Sequence, residues 1–167
     1  MTALLLLSAF SFNLVEIGIG MGTNTPIGNM ERNFTAGALF SVQLGKEVVR
    51  GKFILSFENS TLSGNGQSTY ELQMNGIGLK YGYYLFRGNN WSLPLALGIN
   101  QIWLSRKFQT LKENGMVQGV NIGIGFLERI KRASFGAEFF VAGLYGLAVP
   151  RNAAYMLGIK ATFGYEL

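Results

Sequence analysis

The sequence predicts an all-β fold: a closed, eight-stranded antiparallel β-barrel, an up-and-down meander whose outer face meets lipid. The first observation lies in Ala153 to Leu167, where Tyr155, Leu157, Ile159, Ala161, Phe163, Tyr165 and Leu167 are apolar at every second position. Met156, Gly158, Lys160, Thr162, Gly164 and Glu166 stand between them. A strand sends alternate side chains to opposite faces, so one face is bulky and greasy and the other is small or charged. A glycine-rich face cannot fill a core, so the bulky face points away from the barrel axis, as it does in a barrel standing in lipid. Second, apolar residues make up 49% of the chain and mean hydropathy is +0.24, yet no run of eighteen uncharged apolar residues follows Leu14. Strand-wise alternation produces that combination; a spanning helix does not. Third, 23 glycines and 3 prolines in 167 residues are too many glycines for helices and too few prolines for disorder.

Taken in order, the segment Thr2 to Phe12 has the length and apolarity of a signal-peptide h-region, with Ala9-Phe10-Ser11 as a small-x-small cleavage site. No Lys or Arg precedes it, so a frayed apolar arm is the competing reading. Residues 1–12 are assigned to this leader or remnant and 13–167 to the barrel. The first strand, Leu14 to Thr23, sets Val15, Ile17, Ile19 and Met21 against Glu16, Gly18, Gly20 and Gly22. The second, Asn33 to Gly45, sets Phe34, Ala36, Ala38, Phe40, Val42 and Leu44 against Thr35, Gly37, Leu39, Ser41 and Gln43. A turn at Lys46 to Arg50 leads to the third, Gly51 to Glu58, with Phe53, Leu55 and Phe57 opposing Lys52, Ile54, Ser56 and Glu58.

Asn59 to Thr69 reads as an exposed polar loop. The fourth strand sets Ile77, Leu79, Tyr81 and Tyr83 against Gly76, Gly78, Lys80 and Gly82, while Leu72 and Met74 fall out of phase with it. That predicts a bulge near Asn75-Gly76. Arg87 to Asn90 makes a tight turn, and the fifth strand carries Trp91, Leu93, Leu95, Leu97, Ile99 and Trp103. Ser105 to Gly115 is the next long polar loop. The sixth strand sets Val120, Ile122, Ile124 and Phe126 against Gly119, Asn121, Gly123 and Gly125, and Glu128 to Arg132 is a short charged turn. The seventh sets Phe135, Ala137, Phe139, Val141 and Tyr145 against Ser134, Gly136, Glu138, Phe140 and Ala142, and a loop with Pro150-Arg151-Asn152 leads to the eighth. Connections after the second, fourth and sixth strands are short and the others longer, so the two rims differ.

Cysteine, histidine and aspartate are absent. Disulfides, thiolate metal sites and His-based triads are thereby excluded, and no cofactor or metal site is expected. The net charge of +5 lies in turns and loops, which reads as solubilised rims and not as a nucleic-acid footprint. Gly18-Ile-Gly-Met-Gly22 lacks the spacing and the following helix of a phosphate-binding loop.

The lumen-facing charges Glu16, Lys52, Glu58, Lys80, Glu138, Lys160 and Glu166 form the main candidate site. Glu138 and Lys160 stand on neighbouring strands and are expected to meet, with Glu16 close by. An unpaired buried ion costs several kcal/mol, so a mutually neutralising network that replaces a hydrophobic core is the reading adopted; an ion-selective path is the competing one. Inward glycines either let the barrel close tightly or leave water-filled space. Tyr83, Trp91, Phe126, Phe135 and Tyr165 are expected as an aromatic girdle at the short-turn rim, and Phe34, Phe57, Trp103, Tyr145 and Tyr155 at the other.

The strand pattern, Gly76-Ile-Gly-Leu-Lys-Tyr-Gly-Tyr83 and the ending Thr162-Phe-Gly-Tyr-Glu-Leu167 resemble the small eight-stranded bacterial outer-membrane barrels: the OmpA transmembrane domain, OmpX and OmpW-like group. The resemblance covers roughly Leu14 to Leu167. It implies a Gram-negative outer membrane, short turns facing the periplasm and a last strand read by the barrel-assembly machinery, although Leu167 stands where Phe is usual. It also implies outer-membrane lipid and lipopolysaccharide as partners, with Arg32, Arg106, Lys107, Lys112 and Arg151 as candidate phosphate contacts. Enzymatic barrels of similar size depend on a histidine, which this chain lacks, so no catalytic residue and no enzymatic role are expected. The function read from the sequence is structural or surface interaction; the alternative is a narrow porin-like channel for small solutes or hydrophobic compounds. A soluble lipocalin-like carrier is disfavoured because its core would have to be glycine.

Overall fold

The computed structural model describes residues 15–65, 70–108, 111–145 and 154–167. The leader segment 1–12 lies outside them. Eight strands follow in chain order: β1 (Val15–Ile27), β2 (Gly37–Val48), β3 (Gly51–Ser63), β4 (Tyr70–Arg87), β5 (Trp91–Phe108), β6 (Leu111–Ile130), β7 (Ala133–Tyr145) and β8 (Ala154–Glu166). Each pairs antiparallel with the next, and β1 pairs with β8 from Glu16↔Glu166 to Ile27↔Tyr155, so the sheet closes. Closure matters because an unpaired edge in hydrocarbon leaves backbone groups without partners, at several kcal/mol each.

The pleat points as the alternation predicts. Ile19, Met21, Val42, Leu97, Ile122 and Ile159 lie on the exposed outer face, while Ser41, Lys52, Ser56, Lys80 and Lys160 are buried inside. Bulky apolar residues outside and buried lysines inside are compatible with hydrocarbon around the belt, not with water. Rings pair across neighbouring strands within the belt: Trp91 stacks on Phe126 at 6.5 Å between centroids, and Phe135 meets Phe163 at 5.2 Å. The short-turn girdle is exposed as expected. In the opposite one, Phe57, Trp103, Tyr145 and Tyr155 are exposed, but Phe34 is buried. Phe34 precedes β2, bridges Gly64 and packs inward into an apolar cluster, so it is not a girdle residue.

Several strands are longer than the alternation predicts. β3 runs through Asn59 to Ser63, and β5 and β6 take up most of the expected loop Ser105 to Gly115. β4 keeps one phase throughout: Leu72, Met74, Gly78, Lys80, Gly82 and Tyr84 all face inward. No irregularity falls at Asn75-Gly76; the register shift of β4 against β5 lies at Tyr84/Phe86. The pleat did not change at Met74. What changes is the surrounding solvent. Below that level the outer face meets hydrocarbon and carries Ile77 and Leu79; above it the outer face meets water and carries Glu71, Gln73 and Asn75, so the apolar residues Leu72 and Met74 turn inside.

That inversion builds an apolar core in the long-connection half, where Leu39, Leu62, Met74, Val117, Leu144 and Met156 pack together. At the other end, the two-residue β6–β7 turn holds Lys131 at φ 57°, a left-handed conformation that costs a lysine about 1–2 kcal/mol. Lys131→Asn, which tolerates that conformation, is expected to stabilise the barrel by about 0.5–1 kcal/mol. A rise in the urea midpoint of the vesicle-folded protein checks it; an unchanged midpoint means the turn carries no strain.

Candidate functional site

The lumen is built in tiers along the barrel axis. In the middle, Lys80 Nζ lies 3.5 Å from Glu58 and 3.6 Å from Glu138, and Lys160 Nζ lies 3.3 Å and 3.4 Å from the same two carboxylates. Both lysines are almost fully buried, at 3% and 1% side-chain exposure. Two acids and two bases interleaved in a square compensate one another, which a dry interior requires. Lys80 also lies 5.4 Å from the centre of the Phe140 ring.

One tier nearer the short turns, Glu16 Oε1 accepts from Lys52 Nζ at 2.6 Å and from Ser134 Oγ at 2.9 Å. At the mouth itself, Glu47 gathers Arg129 at 2.5 Å, the Tyr84 hydroxyl at 2.8 Å and Arg87 at 3.3 Å, linking β2, β4 and β6. On the other side of the square lie neutral polar pairs: the Asn24 amide donates to the Ser60 hydroxyl at 3.0 Å and the Asn121 amide to Asn100 Oδ1 at 3.2 Å. Beyond them the apolar core closes that half. Leu62, Val117 and Leu144 there are at most 2% exposed.

The inward glycines find their reason in these tiers. A methyl group at Gly20 would stand 3.1 Å from Lys160 Cδ, and one at Gly98 would stand 2.6 Å from Lys80 Cγ. Each lysine stem lies across a glycine of a neighbouring strand. Elsewhere the space is taken by other side chains, Asn100 at Gly78 and the Phe140 ring at Gly158, or by the backbone of a neighbouring strand, as at Gly22. Cavities of about 70 Å³ and 40 Å³ remain on the two sides of the square.

The structure brings together six of the seven sequence-predicted lumen charges, though in two groups. Glu138 and Lys160 face each other in the β7–β8 register and pair. Glu16 lines a small cavity together with Glu138, but its ion pair is with Lys52. Glu166 stands opposite Glu16 in the β1–β8 register and joins no ion pair among the described residues, so it is not a member of the network. Like-charged neighbours in register cannot pair, and Lys52 is already engaged. Among the expected lipopolysaccharide contacts, Arg32 and Lys107 are exposed. Arg106 is exposed as well, on the face of β5 that carries Ile102 and Leu104 and opposite Glu113 of β6. Lys112 lies in β6 and its side chain is outside the described residues, as is the whole of Arg151.

Sequence reasoning missed the Glu47 cluster, although Glu47 shares its inward face with Leu39, Ser41 and Gln43. It also missed a protruding sheet. β6 pairs with β5 from Leu111↔Phe108, but with β7 only from Gln118↔Tyr145. The positions in register with residues 111–117 on the β7 side lie outside the described residues.

No protein-family model and no curated protein matches the chain. Among solved structures it is similar to Neisserial surface protein A, at 9% identity over 92% of this chain and 97% of that one, with a TM-score of 0.71. It is similar to Ail, the attachment invasion locus protein of Yersinia pestis, at 12% identity over 93% and 99%, with a TM-score of 0.63. The N-terminal β-barrel domain of Pseudomonas aeruginosa OprF follows at 13% identity over 90% and 97%, with a TM-score of 0.54. At such identities the likeness is one of fold, that of the small eight-stranded outer-membrane barrels.

Proposed function

We propose that this chain is a bacterial outer-membrane protein that acts by surface interaction, with neither a catalytic nor a conducting role. The observation that carries the reading is the β4–β5–β6 sheet, which continues past the lipid belt and presents its outer face beyond it. The names of two similar folds, a surface protein and an attachment protein, agree with it. Against conduction stand the buried Lys80–Glu58–Lys160–Glu138 square and the apolar core beyond it, two tiers that leave water no wide path.

Replacing Ser105 to Asn114 by Asn-Gly shortens the hairpin without touching the belt. The shortened barrel is expected to keep its heat-sensitive gel mobility and to lose retention of expressing cells on protein-coated surfaces. Both forms are expected to be silent in planar bilayers. Undiminished retention by the shortened form sinks the interaction reading; discrete, reproducible openings of the unaltered protein favour the narrow channel instead.

A further inference from the structure

We infer that the short-turn rim is a collar that binds anionic phospholipid headgroups of the leaflet on that side. The charges of the described residues are unevenly placed. Lys46, Arg50, Arg87, Arg129, Lys131 and Arg132 stand at this rim with three acids, Glu47, Glu128 and Glu166, an excess of three positive charges. The lumen is balanced, with Glu16, Glu58 and Glu138 against Lys52, Lys80 and Lys160. At the opposite end, Arg32, Arg106, Lys107 and Lys112 stand with Glu31, Glu71 and Glu113 among the described residues, a smaller excess of one.

Depth selects the partner. Arg50, Lys131 and Arg132 are exposed on turns immediately beyond the ring of Tyr83, Trp91, Phe126, Phe135 and Tyr165. Amphipathic rings settle at the headgroup level, so the basic side chains just past them sit among phosphates. Glu47 holds Arg87 and Arg129 at the mouth and offsets one of their two charges. A zwitterionic headgroup has no net charge to answer the remainder; a phosphatidylglycerol headgroup has one. Attraction of this kind grows with each base near the surface and fades with salt. The inference needs only that the barrel spans a bilayer, not that it binds a surface partner.

The two tryptophans stand at opposite ends of the belt on β5, so each reports one leaflet. Trp103→Phe leaves Trp91 at the collar; Trp91→Phe leaves Trp103 at the other end. Each variant is folded into phosphatidylcholine vesicles carrying either brominated phosphatidylglycerol or brominated phosphatidylcholine at equal fraction, and quenching yields relative lipid association. At low salt the anionic lipid is expected to be preferred about threefold or more at Trp91, and the preference to fall to about one in molar salt. Combined Arg50→Gln, Lys131→Gln and Arg132→Gln is expected to abolish it at Trp91 and to leave Trp103 unchanged. Added inorganic phosphate is expected not to compete. Equal association at Trp91 with the collar intact, a preference insensitive to salt, loss to inorganic phosphate, or an equal drop at both tryptophans in the triple variant each overturn the inference. Should the triple variant not fold, the salt series on the intact collar decides. A chain that does not insert at all, seen as identical gel mobility of heated and unheated samples, overturns the membrane reading and this inference with it.

Discussion

Lys160→Met is expected to destabilise the barrel by about 3–5 kcal/mol, the range for removing one partner of a buried ion network. Lys160 is 1% exposed between Glu58 and Glu138, at 3.3 Å and 3.4 Å. Its loss leaves two carboxylates sharing Lys80 in a site with little access to water. The cost arises from the stranded charge more than from the lost attraction. A second change therefore separates the two: Glu138→Gln in the same chain removes the surplus carboxylate charge and is expected to recover a good part of the loss. Urea unfolding from vesicles, followed by tryptophan fluorescence for the four members of the double-mutant cycle, measures the coupling. A Lys160→Met cost below about 1 kcal/mol places the square in the class of solvated surface pairs and removes its structural role.

The polarity inversion carries the second large effect. Leu97 lies on the outer face of β5, midway along the belt between Trp91 and Trp103. Leu97→Arg puts a cation against hydrocarbon and is expected to cost about 2–4 kcal/mol. Gln73→Arg places the same cation on the outer face of β4, above the belt, and is expected to stay within about 0.5 kcal/mol. The contrast tests where lipid ends, because both residues point outward from the same barrel. Equal costs at the two sites contradict a belt that stops below Gln73.

The lipid-facing part of each strand was legible because two local rules coincide there: the pleat alternates with period two, and hydrocarbon rejects charge on one face only. Ile17 to Met21, Leu93 to Ile99 and Tyr155 to Leu167 satisfy both rules at once. Where a strand leaves the lipid the second rule reverses, so Leu72 and Met74 read as a phase error, and Asn59 to Ser63 and Ser105 to Gly115 read as loops. Their described residues, 59–63, 105–108 and 111–115, are strands, with Leu62 turned inside and Asn59, Thr61 and Ser63 on the other face. Propensity and periodicity report a residue's face only once its solvent is known, and the chain does not announce the level at which the solvent changes.

The candidate site was legible as a set and illegible as a geometry. Periodicity placed Glu16, Lys52, Glu58, Lys80, Glu138 and Lys160 inside, because an inward charge at a glycine-rich face has nowhere else to point. Glu138 with Lys160 was readable because they are cross-strand neighbours of consecutive strands. The pairs Lys160 with Glu58, Lys80 with Glu138 and Glu16 with Lys52 join strands that are not adjacent. Strand tilt and stagger on closure set which inward residues share a level across the lumen, and those are properties of the whole barrel. Within the lipid belt the chain alone determines which face each residue occupies, because pleat and solvent act on each residue locally; which charge meets which, and where the belt ends, depend on the register of strands far apart in sequence, and only the closed sheet decides them.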